Sequence, residues 1–294
     1  MENQFVFKAH PSTIGALMSN GKGTVFTQKD AEQLTEYEQR KKGTFLSKSG
    51  KPLAITDEME KKRVDLIAKR DKKPELGDTA KSIVEAQLLY DVFGIPNDFS
   101  SKQTDKGNKC EQSSIYLLQK VAGLFGIEKN ETTFENEYLI GTPDVIGPDN
   151  VIDVKTPWSS KTFPWFKKTL PTNSYEWQLQ GYFMLTTKKV GYIAYCLTNA
   201  TEDIIQDEIR RTAWNEKLID ATDEQLDEIE NRVRWRMEFD QVPDKLRVKL
   251  YQIEYDENKQ QQIIERVELC REYYNEKLAE LFEKMDEAPI IPNF

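Results

Sequence analysis

The segment EYLIGTPDVIGPDNVIDVKTPWS, Glu137 to Ser159, sets Asp144, Asp153 and Lys155 among apolar and β-branched residues. Strand-forming residues flank GPDN, and Pro148 and Asp149 suit a tight turn, so the segment predicts a β-hairpin. Side chains alternate along a strand, which puts Asp153 and Lys155 on one face while Val154 turns into the core. The turn at Gly147 to Asn150 folds the preceding strand back and brings Asp144 beside Asp153. Two carboxylates and an amine thereby converge in an otherwise apolar setting.

The rest of the chain reads as an α/β pattern around that hairpin. HPSTIGALMSNG predicts a short helix with Ser12 or Thr13 near its N-cap and Gly21 beyond its end. Residues 28 to 73 are rich in lysine and glutamate and read as exposed helices and loops. LGDTAKSIVEAQLLYDVFG has Ile83 and Leu88 at helical spacing and stops at Gly94, and SSKQTDKGN reads as a polar loop. KCEQSSIYLLQKVAGLFG carries an apolar stripe of Ile115, Leu118, Val121, Ala122 and Phe125, with Glu111 at its start. TTFENEYLIGTPDVIG reads as the strand before the turn. YEWQLQGYFMLTT reads as a helix, KVGYIAYCLTN as a strand, and DKLRVKLYQIEYD as a further strand through the alternation of Leu246, Val248 and Leu250. ATDEQLDEIENRVRWRM opens with a capping box, Thr222 to Gln225, and QQQIIERVELCREYYNEKLAELFEKM reads as a long amphipathic helix containing Ile263, Ile264, Val267 and Leu278. Without an internal repeat or a low-complexity linker, one elaborated domain over residues 1–294 is the simplest organisation. Its core lies at about 106–200, and a C-terminal strand and acidic helices fill 201–294.

Composition narrows the chemistry. No run approaches the roughly 18 apolar residues needed to span a bilayer, and MENQFVFKAH shows no secretory signal, so a soluble, cytoplasmic protein without membrane partners is expected. Cys110, Cys196 and Cys270 are far apart and form no CxxC pair, which argues for ordinary buried thiols. With His10 as the one histidine, sites built on several His ligands or on Ser-His-Asp are disfavoured. GALMSNGKGT is not a phosphate loop, because Gly15 to Gly21 is one residue too long and Lys22 precedes Gly23. The net charge of -9 is unevenly spread. Residues 201–294 hold 14 Lys and Arg against 25 Asp and Glu, leaving 27 against 25 for residues 1–200. Solvated helix faces account for the acidic third, and the first two thirds remain able to meet phosphates through local lysines.

Paired carboxylates repel, and an oxygen-preferring dication such as Mg2+ or Mn2+ relieves that repulsion while leaving room for water and phosphate oxygens. A lysine beside them can hold a water, and Glu111 adds a third carboxylate. Such a set suits phosphodiester hydrolysis. The same spacing also describes an aspartate in a turn and an exposed ion pair on a sheet edge. Downstream, QLQGY puts Gln178 and Tyr182 on one helical face. TPWSSKTFPWFKK follows the charged strand directly. Its Trp158, Phe163, Trp165 and Phe166, interleaved with Lys161, Lys167 and Lys168, suit base stacking and phosphate binding, or a hydrophobic loop packed on the domain. Ser12 and Thr13 suit a helix cap or a terminal phosphate.

The order Glu111, Pro143-Asp144, Asp153-Val154-Lys155 and Gln178-x-x-x-Tyr182 resembles the PD-(D/E)xK nuclease superfamily, in its RecB-type, phage lambda-exonuclease (YqaJ-like) branch. KGNKCE, GTPDVI, VIDVKTPWS and YEWQLQGYFML carry the resemblance, over roughly residues 106–200, with a weaker echo in HPSTIGALM. It implies a restriction-endonuclease-like core, a mixed β-sheet flanked by helices, elaborated here by extra N- and C-terminal helices. It implies one or two Mg2+ or Mn2+ ions held by Glu111, Asp144, Asp153 and the Val154 carbonyl, with Lys155 positioning the water and Gln178 and Tyr182 bracing the site. The cysteines that hold an iron-sulfur cluster in some relatives are missing. The implied activity is 5'-to-3' digestion of double-stranded DNA ends in phage or prophage recombination, with a single-strand annealing protein and a homo-oligomer as implied partners. An endonuclease would need the same residues, and a non-catalytic DNA-binding scaffold would keep the fold but gain nothing from the acids.

Overall fold

The structure, a computed structural model, describes residues 5–21, 26–72, 75–96, 101–124, 126–218 and 222–286. In chain order its elements are α1 (Pro11–Leu17), α2 (Gln28–Lys41), α3 (Asp57–Asp71), α4 (Asp78–Phe93), α5 (Lys102–Ala122), β1 (Phe134–Glu135), β2 (Ile140–Gly141), β3 (Val145–Ile146) and β4 (Asn150–Lys155). There follow α6 (Asn173–Thr186), β5 (Val190–Cys196), α7 (Glu202–Asn215), α8 (Asp223–Met237), a 3-10 turn (Asp244–Leu246), β6 (Val248–Glu254) and α9 (Glu257–Asp286). The chain divides into two compact units, one of residues 1–15 and 94–267, the other of 16–93 and 268 onward. Among the described residues no helix is long and apolar enough to cross a membrane.

A four-stranded mixed sheet, ordered β3-β4-β5-β6, forms the centre of the first unit. The hairpin expected at GPDN is β3–β4, with Val145 opposite Ile152 and Ile146 opposite Val151. β5 runs parallel to β4, with Asp153 opposite Ile193, so the connection between them crosses over through α6; β6 is antiparallel to β5. The two faces of β4 separate its residues by parity, as expected of a strand buried on both sides. Ile152 and Val154 pack with Val145, Ala194 and Cys196 under Ile115, Leu117 and Leu118 of α5. Val151 packs on the other face with Ile193, Tyr195 and Tyr251 beneath Leu179, Tyr182 and Phe183 of α6. Asp153, two residues from Val151, is therefore carried on the α6 face.

Several expectations need correction. SSKQTDKGN is not a loop, because from Lys102 it is the first half of α5. Ser101 caps that helix, its hydroxyl accepting the Thr104 N–H at 3.1 Å, and the buried stripe continues through Lys106, Cys110 and Ser114. Glu111 therefore lies in mid-helix rather than near the helix start. The helix ends at Gly123, whose φ of 67° is the left-handed conformation glycine adopts without strain. Phe125 lies outside the described residues. α1 begins at Pro11, a residue suited to a first helical position, so Ser12 and Thr13 follow it within the first turn rather than capping it. The single strand expected before GPDN is three short pieces, of which β1 and β2 pair with each other and Ile140 of β2 also donates its N–H to the Ala9 carbonyl at 3.1 Å. Leu246 belongs to the 3-10 turn, and β6 starts at Val248. The capping box at Thr222 and Gln225 is present at the head of α8.

In the second unit, α2 and α3 bury Leu34, Tyr37 and Leu66 between them, and Ser19 Oγ accepts the Ala80 N–H in the first turn of α4. Tyr274 of α9 donates its hydroxyl to Asp91 of α4 at 2.8 Å. Cys110, Cys196 and Cys270 are buried thiols.

Candidate functional site

A cleft of about 550 Å³ opens over the end of β4 in the first unit. Asp144, Asp153, Val154, Lys155 and Thr156 line its floor, with Glu111 on its α5 wall and Gln178 and Tyr182 on its α6 wall. Trp158, Thr162, Tyr175 and Ser12 are also among its lining residues. The motif residues thus occupy one cavity although they come from a helix, a turn, a strand and a second helix.

Each acidic side chain is held differently. Asp144 Oδ2 accepts the backbone N–H of Val154 at 2.6 Å, so the turn aspartate is tied to the neighbouring strand. Asp153 is 1% exposed. Its Oδ1 accepts from Gln178 Nε2 at 2.7 Å, while Oδ2 has no aligned hydrogen-bond donor and stands 2.8 Å from the Lys155 ammonium. Lys155 also donates to Gln178 Oε1 at 3.1 Å and lies 4.6 Å over the Tyr175 ring. The Gln178 amide reaches the Tyr182 hydroxyl at 3.3 Å, and that hydroxyl reaches the Thr142 carbonyl at 3.3 Å, two residues before Asp144. Glu111 Oε2 accepts from Lys129 Nζ at 2.6 Å.

Burial sets the electrostatics. Desolvation, then the Asp153 charge, pushes the Asp144 carboxyl up to about 7 against the pull of Lys155. Burial likewise raises Asp153, opposed by Lys155. For Lys155, burial favours the neutral amine, but Asp153 and Asp144 outweigh it and hold the group cationic above its ordinary value. Burial and then Asp153 raise the Tyr182 hydroxyl, which acts here as a neutral hydrogen-bonding group.

The residues expected to contact DNA separate. Trp158 and Ser12 line the cleft; Thr13 donates its hydroxyl to the His10 carbonyl at 2.8 Å and is not among the lining residues. Phe163 is buried and Trp165 half-buried, with its indole N–H on the Ser160 carbonyl at 2.8 Å. Both pack as the hydrophobic loop reading has it. Phe166, Lys161, Lys167 and Lys168 are exposed, outside the cleft lining. Sequence reasoning missed Lys106, whose buried ammonium donates to the carbonyls of Pro157 and Trp158 at 3.1 and 3.2 Å and so ties the loop after β4 to α5. Burial lowers its amine to about 8. Its position four residues before Cys110 and eight before Ser114 was the available signal.

The donor set suits a hard dication at the Asp144–Asp153 pair, because carboxylate oxygens are its preferred ligands and one Asp153 oxygen lacks a hydrogen bond. Among the described residues no group of three or more His, Cys, Asp or Glu side chains is gathered closely enough to enclose an ion alone. Mg2+ commonly takes one or two carboxylates and fills its shell with water and phosphate oxygens, so the two aspartates suffice. Glu111 lines the same cleft but is turned to Lys129. Val154 contributes its N–H to Asp144, a role the resemblance did not imply.

No family model matches the chain, and no curated protein matches it. Solved structures do. A phage-related exonuclease from Haemophilus somnus 129PT superposes over 96% of this chain and 99% of its own, with 22% identity and a TM-score of 0.60. An alkaline exonuclease (LHK-Exo) from Laribacter hongkongensis covers 71% of this chain and 86% of its own at 13% identity and a TM-score of 0.49, and its complex with dAMP covers 70% and 85%. The chain therefore has the fold of the phage-related exonuclease, a mixed sheet flanked by helices, with its carboxylate pair at the floor of the cleft.

Proposed function

We propose that this chain is a divalent-metal-dependent deoxyribonuclease that digests double-stranded DNA from its ends. The observation that carries the reading is the burial of Asp144 and Asp153 together against Lys155 at the floor of an open cleft. Such a pair is held at a cost in stability unless a cation uses it, and its surroundings are too ordered for a chance ion pair on a sheet edge. The fold shared with a phage-related exonuclease supports action on ends; a place in phage or prophage recombination beside a single-strand annealing protein belongs to the same proposal.

A Mg2+ or Mn2+ ion at Asp144 and Asp153, with the Val154 carbonyl as a backbone donor, would lower the pKa of its water and neutralise charge on the phosphate. The chain's own groups do the rest. Gln178 bridges Asp153 and Lys155, fixing the carboxylate and the ammonium relative to one another. Lys155, kept cationic, orients the attacking water and faces the phosphate. Tyr182 braces Gln178, and Trp158, whose carbonyl accepts from Lys106 and whose side chain packs on the α7–α8 apolar cluster, is the cleft-lining ring for an end base pair.

Lys155→Ala tests this reading. Cleavage of a linear duplex with Mg2+ should fall by at least about a hundredfold, the order found when a group stabilising developing charge is removed. Circular dichroism should remain that of the folded protein. Wild-type cleavage by this variant would refute the assignment.

A further inference from the structure

Glu111 is the site's third acid, yet its partner is an ammonium: Lys129 Nζ stands 2.6 Å from Oε2. The carboxylate side chain is 18% exposed and the lysine side chain 42%; Glu111 lines the cleft and Lys129 approaches it from outside the lining. The lysine is not there through a loose surface contact. Its neighbour Asn130 donates its backbone N–H to the Asp144 carbonyl at 2.8 Å and its side-chain amide to the Pro143 carbonyl at 2.9 Å. Thr132 closes the turn by donating its N–H to Asn130 Oδ1 at 3.2 Å. The segment carrying Lys129 is thus stapled to the Pro143–Asp144 turn, which sets the ammonium between the third acid and solvent.

We propose that Lys129 is a built-in counter-cation that occupies Glu111 while the site is empty and exchanges that carboxylate for a DNA phosphate once a divalent ion is bound. The argument is one of charge. Three acids in one partly desolvated cleft repel; Lys155 pairs with Asp153, and Lys129 pairs with Glu111. A dication at the aspartates lessens the need for Lys129 at Glu111, and an ammonium on a half-exposed, four-carbon stem then reaches outward to the polyanion entering the cleft. Lys129 is a positioning residue for Glu111 in the empty site and a phosphate ligand in the loaded one.

This rests on the metal-dependent reading above, and the test keeps the two separate. Mn2+ is titrated calorimetrically into the EDTA-stripped full-length protein, as wild type, Lys129→Met, Lys129→Arg and Asp153→Asn. Duplex binding is then measured in Ca2+ for the wild type and both Lys129 variants. Removing the positive charge that pairs with Glu111 should tighten Mn2+ binding by about tenfold in Lys129→Met, while Lys129→Arg stays near wild type. In Ca2+, Lys129→Met should bind the duplex more weakly, with a salt dependence lower by about one phosphate contact. Unchanged or weaker Mn2+ binding in Lys129→Met would overturn the exchange while leaving the metal site standing. Wild-type protein that takes up no Mn2+, or Asp153→Asn that takes up as much, would overturn the metal reading itself, and the proposal with it.

Discussion

Asp144 is the residue whose state depends most on what the cleft contains. Its carboxyl, pushed up to about 7 by burial and then by Asp153, keeps its proton in the folded, cation-free protein where the unfolded chain has already released it. An unfolded aspartate titrates near about 3.9, so folding takes up a proton between the two values. The stability from this group is present in full below the lower value and is lost as pH rises through the upper one. In EDTA, the melting temperature of wild type should therefore decline from about pH 5 to about pH 8 more steeply than that of Asp144→Asn. Parallel declines would show that Asp144 is not raised. Asp144, Asp153 and Lys155 were legible because strand parity is strict: a residue two along from Val151 must share its face. Gln178 and Tyr182 were legible through helical spacing. What could not be read was pairing across elements. Nothing around Lys129 in EKNET announces that its ammonium meets Glu111, and Lys106 looked like one more lysine in a polar run although it is among the most buried side chains of the first unit.

At the level of elements, the position of the α6 wall depends on a close approach. A Cβ at Gly181, in the middle of α6, would stand 2.5 Å from Ile14 Cδ1 and 3.1 Å from Pro11 Cβ, so α1 lies against α6 only because glycine is there. Gly181→Ala should lower unfolding stability by about 1–3 kcal/mol, the usual cost of overpacking. Adding Ile14→Val should return part of it, since that removes the nearer clash. A urea titration showing no loss in Gly181→Ala would contradict this packing. The hairpin, α6, β5 and the capping box of α8 were readable because each has a local signature: a Pro-Asp turn, helical spacing, a β-branched run, a Thr-x-x-Gln. The first half of α5 has none. Its buried positions are Lys106, Cys110 and Ser114, a stripe with no strongly apolar member, so the polar residues around it read as a loop. The strand before the turn misled in the opposite sense: its apolar residues form three short pieces, since Asn136 and the Pro143–Asp144 turn use side-chain and backbone hydrogen bonds that a continuous ladder would need.

For the whole molecule, the charge distribution and the fold point the same way. The acidic excess lies in residues 201–294, and many of its carboxylates are already engaged on helix surfaces, as in the Arg234 group with Glu202, Glu230 and Glu238. The net charge of -9 therefore says little about the cleft, whose own acids sit beside Lys155 and Lys129. An α/β pattern was legible from the order of elements and the mixed sheet flanked by helices was implied by the resemblance; the likeness to the phage-related exonuclease over 96% of this chain extends the fold beyond the residues that carry the motifs. End preference was not legible, because on the proposed reading linear and closed DNA would present the same phosphodiester to Asp144, Asp153 and Lys155, and how the surrounding chain admits DNA would decide between them. The most direct test of the account is therefore digestion of linear and covalently closed DNA of one sequence, in Mg2+ and in EDTA, with Asp153→Ala alongside. Loss of the linear form alone, abolished by EDTA and by Asp153→Ala, is the predicted result; cleavage that persists in EDTA or in Asp153→Ala, or no cleavage by the wild type, would contradict it.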